Sequence, residues 1–345
     1  MEKLNIAVIF GGYSNEHEVS QGSGKTVMEN LDSNKYNIIP LYICEKGLWY
    51  LFKGDDYTNV DTSVLPRVVF SSERTKELII SGEGVRNIDL AFPALLGKFG
   101  EDGTIQGLFE MAGIPYTGCG VLSSSLCMEK VFSNDFVKLL NIPQPKYLAF
   151  RQNDKIDKEL IVNAVGLPCF VKPVRSGSSV GIVIAKTSDE LDDAITTAFS
   201  YDSRIIIEEN IRGRELKCAV LGTGGDDTEA SVPGETVYEG VDFYDYDAKY
   251  KSSATKKFIP ADVSDEVVKE VQELSLKIFK ALDCSGLARI DFFLEESSGR
   301  ILFNEINTFP AFTGVSMYPS LCKHMGYPTD KLLDRLIEIG LNTVR

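Results

Sequence analysis

Histidine is nearly missing from this chain. Its 345 residues hold two, His17 and His324, too few to build a histidine metal cluster or a conventional catalytic triad by themselves. Cysteine is present without any close pair. Cys44, Cys119, Cys127, Cys169, Cys218, Cys284 and Cys322 are odd in number and scattered, which fits neither a disulfide framework nor a zinc site and reads as buried thiols in a reducing, cytoplasmic setting. No apolar run approaches membrane-spanning length, and the apolar stretch at the N-terminus is too short for a signal segment. A basic excess is absent as well: 36 Lys and Arg stand against 50 Asp and Glu, a net charge of −14 whose average field repels a nucleic acid. Internal repeats and low-complexity segments are lacking.

What remains is an ordinary globular composition, 43% hydrophobic and 25% charged, in a chain long enough for two or three compact units around a shared cleft. The opening pattern is βαβ: a strand at 6–10, a Gly11-Gly12 turn, a helix over 20–31 and a strand at 38–43. A further strand at 88–92 runs into a glycine-rich loop ending at Gly103, with a helix over 105–112 beyond it. Loops of this kind are where open α/β sheets place ligands. The spacing predicts an N-terminal α/β domain at 1–123 with an insertion at about 46–86, a second unit at 124–211 and a third at 212–345. The second carries a helix over 128–140 and a strand at 168–172. The third carries a strand at 216–221, a polar segment over 223–253, a long helix over 264–282 and a hairpin over 288–307.

That hairpin carries the most chemistry. Arg289 to Asn307 alternates, turns at Glu296-Ser-Ser-Gly299 and alternates again, so a centre near Ser298 sets Asp291 opposite Glu305 and Arg289 opposite Asn307, all on one face. Two opposed carboxylates repel unless a cation sits between them. Magnesium, which prefers hard oxygen ligands and bridges carboxylates to nucleotide phosphates, is the natural candidate. Taken alone, the pattern is also what a solvated hairpin with incidental charges would show.

Other segments tip the balance. Lys172 ends an apolar strand and precedes the small-residue loop Ser176-Gly-Ser-Ser-Val-Gly181, whose backbone N–H groups can approach phosphate oxygens while the lysine supplies a point charge. Lys130 lies upstream. Downstream, Ile205-Ile-Ile-Glu-Glu-Asn210 is an apolar strand ending in acids, Glu208 and Glu209, suited to an adenine amino group and ribose hydroxyls. Glu16, just past the first strand, can bind a substrate ammonium. Gly22-Ser-Gly-Lys-Thr26 imitates a phosphate-binding loop, but Val19 stands where that motif needs glycine, and the run falls inside a helix pattern that leaves Lys25 on the surface.

Taken together, the chain resembles the D-alanine-D-alanine ligase family of the ATP-grasp superfamily over nearly its whole length. The matching blocks are Gly11 to Ser20, Gly100 to Gly107, Lys172 to Gly181, Phe243 to Tyr250 and Arg289 to Asn307. The resemblance implies an α/β ATP-grasp fold, α+β in its ATP-binding part, with three domains and the active site in the central cleft. The first domain would hold the first substrate, the second would form the lid and nucleotide site, and the third would carry magnesium, a mobile loop and the second-substrate site. ATP and magnesium, with manganese as a substitute and two ions in the site, would drive ligation of two D-alanines through an acyl phosphate for peptidoglycan synthesis. A homodimer is implied, with amino acids as its small-molecule partners. By position, Glu16 would hold the ammonium of the first D-alanine with help from Ser178 and Tyr250. Lys130, Lys172, Ser179 and Lys249 would face the phosphates, Glu208 and Glu209 adenine, and Glu215 ribose. Asp291, Glu305 and Asn307 would bind metal, Arg289 would stabilise the transferring group, and Ser316 would bind the second carboxylate.

Four positions depart from the family pattern. Leu96 stands where histidine is usual, Ala311 replaces a glycine, and Gly314-Val315 replaces a Ser-His pair. All four fall near the amino-acid subsites, so they bear on substrate choice more than on ATP. They keep open a ligase for another pair, such as D-alanine with D-serine, and a weak nucleotide-binding paralogue.

Overall fold

The computed structural model describes residues 2–71, 73–177, 179–238 and 255–344. Its first layer contains β1 (Leu4–Gly11), α1 (His17–Asn30), β2 (Tyr36–Ile43), β3 (Trp49–Leu51), β4 (Val68–Phe70), β5 (Glu77–Ile80), β6 (Gly84–Asn87) and β7 (Leu90–Pro93). The main sheet runs β3-β2-β1-β7, with β1 parallel to both β2 and β7. Parallel neighbours on each edge explain why Ile6 to Phe10 is an unbroken apolar run and fully buried. Segment 46–86 does not stay at the periphery: β3 extends the main sheet, and Leu78 and Ile80 of the separate β4-β5-β6 sheet enter the same core as Phe109.

Helix α1 begins earlier than its apolar pattern suggests, at His17, whose N–H donates to Ser14 O at 3.2 Å. It packs so tightly on β1 that a Cβ at Gly24 would lie 2.5 Å from Phe10 Cβ. The glycines in the loop-like run Gly22–Thr26 are therefore packing residues inside a helix, and exposed Lys25 lies 3.8 Å from Glu29.

The chain continues through α2 (Thr104–Ala112), α3 (Val121–Met128) and α4 (Lys130–Leu139). The helix expected over 128–140 is α4, and α3, which the sequence pattern did not mark, precedes it. Glu129 is extended at the junction and caps α4, its carboxylate accepting Phe132 N–H at 2.8 Å. Then come β8 (Tyr147–Arg151), α5 (Lys158–Val165), β9 (Cys169–Pro173), β10 (Val183–Ala185), α6 (Leu191–Tyr201) and β11 (Arg204–Glu209). The strands form an antiparallel sheet, β10-β9-β11-β8, with one face on α5 and α6.

The last part comprises β12 (Gly213–Gly222), β13 (Glu229–Ala230), β14 (Gly234–Tyr238), β15 (Thr255–Phe258), α7 (Asp265–Ala281), β16 (Gly286–Glu295), β17 (Ile301–Asn307), α8 (Met317–His324) and α9 (Thr329–Asn342). The sheet order is β15-β14-β12-β16-β17, with β13 paired to β12, so the polar stretch over 223–253 supplies two strands, β13 and β14. Val271, Ile278 and Phe279 pack α7 onto it. One apolar cluster joins Ile6, Val8 and Phe92 to Leu287, Phe309, Phe312 and Leu336, fixing the first sheet against the last. That shared core sets the ends of β1 and β7 beside the open face of β16 and β17. Among the described residues, no helix is long and apolar enough to cross a membrane.

Candidate active site

The hairpin pairs Arg289 with Asn307 and Asp291 with Glu305, the register that its sequence predicts near the site. Beyond Asp291 the register slips by one, Phe292 opposite Phe303, leaving Asn304 as an extra residue on β17. On the other side of β16, Lys217 of β12 stands opposite Asp291. Lys217, Asp291 and Glu305 therefore occupy one row across three strands, and directly opposed residues share a face. All three line a cleft of about 410 Å³.

Opposed carboxylates about 5 Å apart repel by roughly 3 kcal/mol at an effective dielectric constant near 20. The fold supplies its own relief. Arg289 grips Asp291 bidentately, with Nε to Oδ1 and Nη2 to Oδ2 both at 2.7 Å, and Lys217 Nζ reaches Oδ2 at 3.2 Å. Burial works against the Asp291 charge, but the Arg289 and Lys217 cations win and hold its pKa down at about 2. Lys217 also bonds Glu215 at 3.2 Å, and those acids keep it charged despite burial. The carboxylate repulsion thus has an internal remedy and does not by itself demand a metal.

The donor set still suits a hard cation. Asp291, Glu305 and Asn307 present oxygens to the same cleft, and a carboxylate has about four acceptor positions, of which Asp291 uses three. The Asn307 amide donates to Glu101 Oε2 at 2.9 Å and accepts from Arg289 Nη2 at 2.8 Å.

From the central sheet, Lys172 on β9 and Glu208 on β11, diagonal neighbours across the strand pair, form an ion pair at 2.5 Å. Burial opposes the Lys172 charge, but Glu208 outweighs it and raises the pKa. The acid expected beside adenine is therefore engaged by the lysine expected at the phosphates. Glu209 accepts the Lys146 N–H at 2.8 Å, and Glu215 is held by Lys217. Lys130 Nζ donates to Ser176 O at 2.7 Å, anchoring the small-residue loop in which Ser179 has positive φ.

Glu16 enters from the first domain. A Cβ at Gly97 would lie 2.6 Å from Glu16 Oε2 and one at Gly177 3.0 Å from it, so the carboxylate reaches into a slot that side chains would close. Ser316 stands at the N-cap position of α8 without a side-chain capping bond, its hydroxyl instead 2.8 Å from Thr313 Oγ1. Of the expected site residues, Glu16, Lys130, Lys172, Ser179, Glu208, Glu209, Glu215, Arg289, Asp291, Glu305, Asn307 and Ser316 all line the one cleft. Ser178, Lys249 and Tyr250 lie outside the described residues. Of the departures, buried Leu96, together with Ala311 and Val315, lines the cleft; exposed Gly314 is not among its lining residues.

Sequence reasoning missed Lys217 and Glu101. The signal for Lys217 was present, a charge inside the otherwise apolar run expected over 216–221, two residues from Glu215. Glu101 lay inside a recognised glycine-rich block. Its carboxylate accepts Gly97 N–H at 2.8 Å. Burial and then the Glu16 charge push its pKa from an ordinary 4.5 to about 8, with Glu305 adding to the rise. Between those values the native state binds the proton that the unfolded chain has lost, so this group makes stability fall as pH rises. In metal-free buffer, Glu101→Gln should gain stability relative to wild type between pH 5 and pH 8, read from urea midpoints; a constant difference would refute the assignment.

The comparisons agree along the whole chain. Residues 5–119 match the family model described as D-ala D-ala ligase N-terminus, and residues 136–338 match D-ala D-ala ligase C-terminus. The fold is that of the ATP-grasp ligases. More particularly, the chain belongs to the D-alanine-D-alanine ligase family. It is 42% identical to a D-alanine–D-alanine ligase of Caldicellulosiruptor bescii, over 100% of this chain and 97% of that one. Among solved structures, the VanG D-Ala:D-Ser ligase from Enterococcus faecalis superposes with TM-score 0.88 at 42% identity, covering 98% of this chain and 100% of that one. A Bacillus anthracis D-alanine–D-alanine ligase complexed with ATP gives TM-score 0.76 at 30% identity, covering 98% and 97%.

Proposed function

We propose that this chain is an ATP-dependent D-alanine-D-alanine ligase, releasing ADP and phosphate and supplying the dipeptide for peptidoglycan synthesis. One observation carries the reading. Glu16, the lysines Lys130 and Lys172, and the hairpin residues Asp291, Glu305 and Asn307 all line one cleft, which supports reading them as ammonium-binding, phosphate-facing and metal-holding groups.

A carboxylate is a poor electrophile, so ATP first phosphorylates it, a step governed by positioning and by charge around the γ-phosphate. Glu16 orients the first D-alanine through its ammonium. Lys130 and Lys172 neutralise phosphate oxygens, and Arg289 faces the transferring group. Asp291, Glu305 and Asn307 would hold magnesium or manganese, which supplies Lewis-acid neutralisation of the phosphates. The second D-alanine presents its carboxylate to Ser316 and the N-terminus of α8. Its amine then attacks the acyl phosphate. Ser178 and Tyr250 would help to exclude water and Lys249 would face the phosphates, as the family resemblance implies. Glu208, Glu209 and Glu215 border the nucleoside end. The cytoplasm is the fitting compartment, given seven cysteines with no disulfide among the described residues. A homodimer would cover the exposed Met111 of α2 and Leu122 of α3.

The likeness to the D-Ala:D-Ser ligase of Enterococcus faecalis favours a second reading, with D-serine as the second substrate. Leu96 and Met317 supply apolar surface to the cleft, which suits a methyl side chain and so alanine. An apolar site rejects an added hydroxyl by roughly 10²-fold, so kcat/KM for D-alanine should exceed that for D-serine by about that factor. Phosphate release and product mass with D-alanine alone, and with D-alanine plus D-serine, check this. A mixed product at equal rate supports the second reading, and no release with either sinks the ligase assignment.

A further inference from the structure

One cation in the cleft has no role in that reading. Lys257 of β15 lines it together with Thr236, Ser316 and Met317. Lys217 and Arg289 are paired with acids, but among the described residues no acid pairs with Lys257. Desolvation in the cleft and then the cations Arg289 and Lys217 push its pKa down, the sign of an ammonium short of an anion.

The sheet places that ammonium beside the helix assigned to the second substrate. Lys257 stands opposite Thr236 of β14, so the two share a face. Gly234, two residues before Thr236, presents the same face, and a Cβ there would lie 3.0 Å from Met317 Sδ. The first residue of α8 therefore packs on the strip of sheet that Lys257 borders. That helix end favours an anion: Ser316 at the N-cap makes no side-chain capping bond, and no acid stands in the first turn. The phosphate-facing Lys130 and Lys172 belong instead to α4 and β9, outside this sheet.

We propose that Lys257 binds the carboxylate of the second D-alanine together with Ser316 and the N-terminus of α8, and so helps select an amino acid over an amine that lacks the carboxylate. Lys257 supplies the point charge and the helix the directed N–H groups, leaving the substrate amine free to attack. This rests on the ligase reading, and the test separates the two.

The full chain is given ATP, magnesium, D-alanine and D-alaninamide together, and the ratio of D-alanyl-D-alanine to D-alanyl-D-alaninamide is read by mass. Lys257→Met should shift that ratio toward the amide by about tenfold, the scale of one hydrogen bond to a charged group, and raise the KM for the second D-alanine to match. The KM for ATP should not move, and Lys257→Arg, which keeps the charge, should stay near the wild-type ratio. An unmoved ratio and KM for the second D-alanine in Lys257→Met overturn the proposal, as does a rise in the KM for ATP alone, which would give Lys257 to the phosphates. Lys257 is exposed on the edge strand of its sheet, so the variant should fold, and circular dichroism checks this; Lys257→Gln serves as a second neutral variant with the same expected shift. Wild type releasing no phosphate from ATP with D-alanine overturns the ligase reading and this inference with it, whereas release with an unmoved ratio in both neutral variants removes the inference alone.

Discussion

Glu305→Gln is expected to lower kcat by about 10³-fold, the scale on which single charge-stabilising groups act in phosphoryl and acyl transfer. The substitution keeps the side chain's shape and removes one of its two anionic oxygen ligands. It should also weaken divalent-ion binding in the presence of nucleotide, because an amide oxygen is a poorer ligand for a hard cation than a carboxylate. The fold should survive. Glu305 lies opposite Asp291 and is one of the charges that raise the Glu101 pKa, so a neutral isostere relieves repulsion on this face. Phosphate-release kinetics, a manganese titration and a urea melt on the same preparation measure the three parts. Turnover at the wild-type rate would contradict the assignment of Glu305 to the metal face.

The pairing at the heart of this site was legible because alternation has a strict period and the turn at Glu296 to Gly299 fixes its centre. Asp291 opposite Glu305 follows from counting. The bulge at Asn304 was not legible, since an extra residue leaves no mark on an apolar alternation already interrupted by acids. Helix α1 shows the same limit: His17 and Glu18 start it, but their polarity hides the first turn from an apolar pattern. Lys217 was hidden differently. A single sequence shows a charge in a strand but not which strand will lie beside it, and Lys217 and Asp291 are 74 residues apart in the chain. The inference of a metal from carboxylate repulsion was incomplete for that reason: the repulsion is real, and two protein cations already answer it. Glu101 had a recognisable neighbourhood, but its raised pKa depends on Glu16 and Glu305, which only the folded cleft brings near.

Lys172→Met separates the structural role of the β9–β11 pair from its chemical one. Glu208 is buried, and removing its partner leaves an uncompensated charge, a change that costs about 3–5 kcal/mol in buried pairs. The Lys172 pKa is raised above its ordinary 10.5, so the stability it contributes is fully present below that value and is lost only as pH climbs through the raised pKa. Lys172 itself therefore stays charged from pH 6 to pH 9, and its own titration adds no pH dependence there. The double variant Lys172→Met/Glu208→Leu replaces the pair with apolar side chains and should recover most of the lost stability. It should not recover ATP use, because the ammonium is still missing from the phosphate end of the cleft. Urea midpoints and the KM for ATP on the single and double variants decide the matter. Equal stability in wild type and Lys172→Met would show that Glu208 finds another partner, and wild-type ATP use in the stable double variant would take Lys172 out of the nucleotide site.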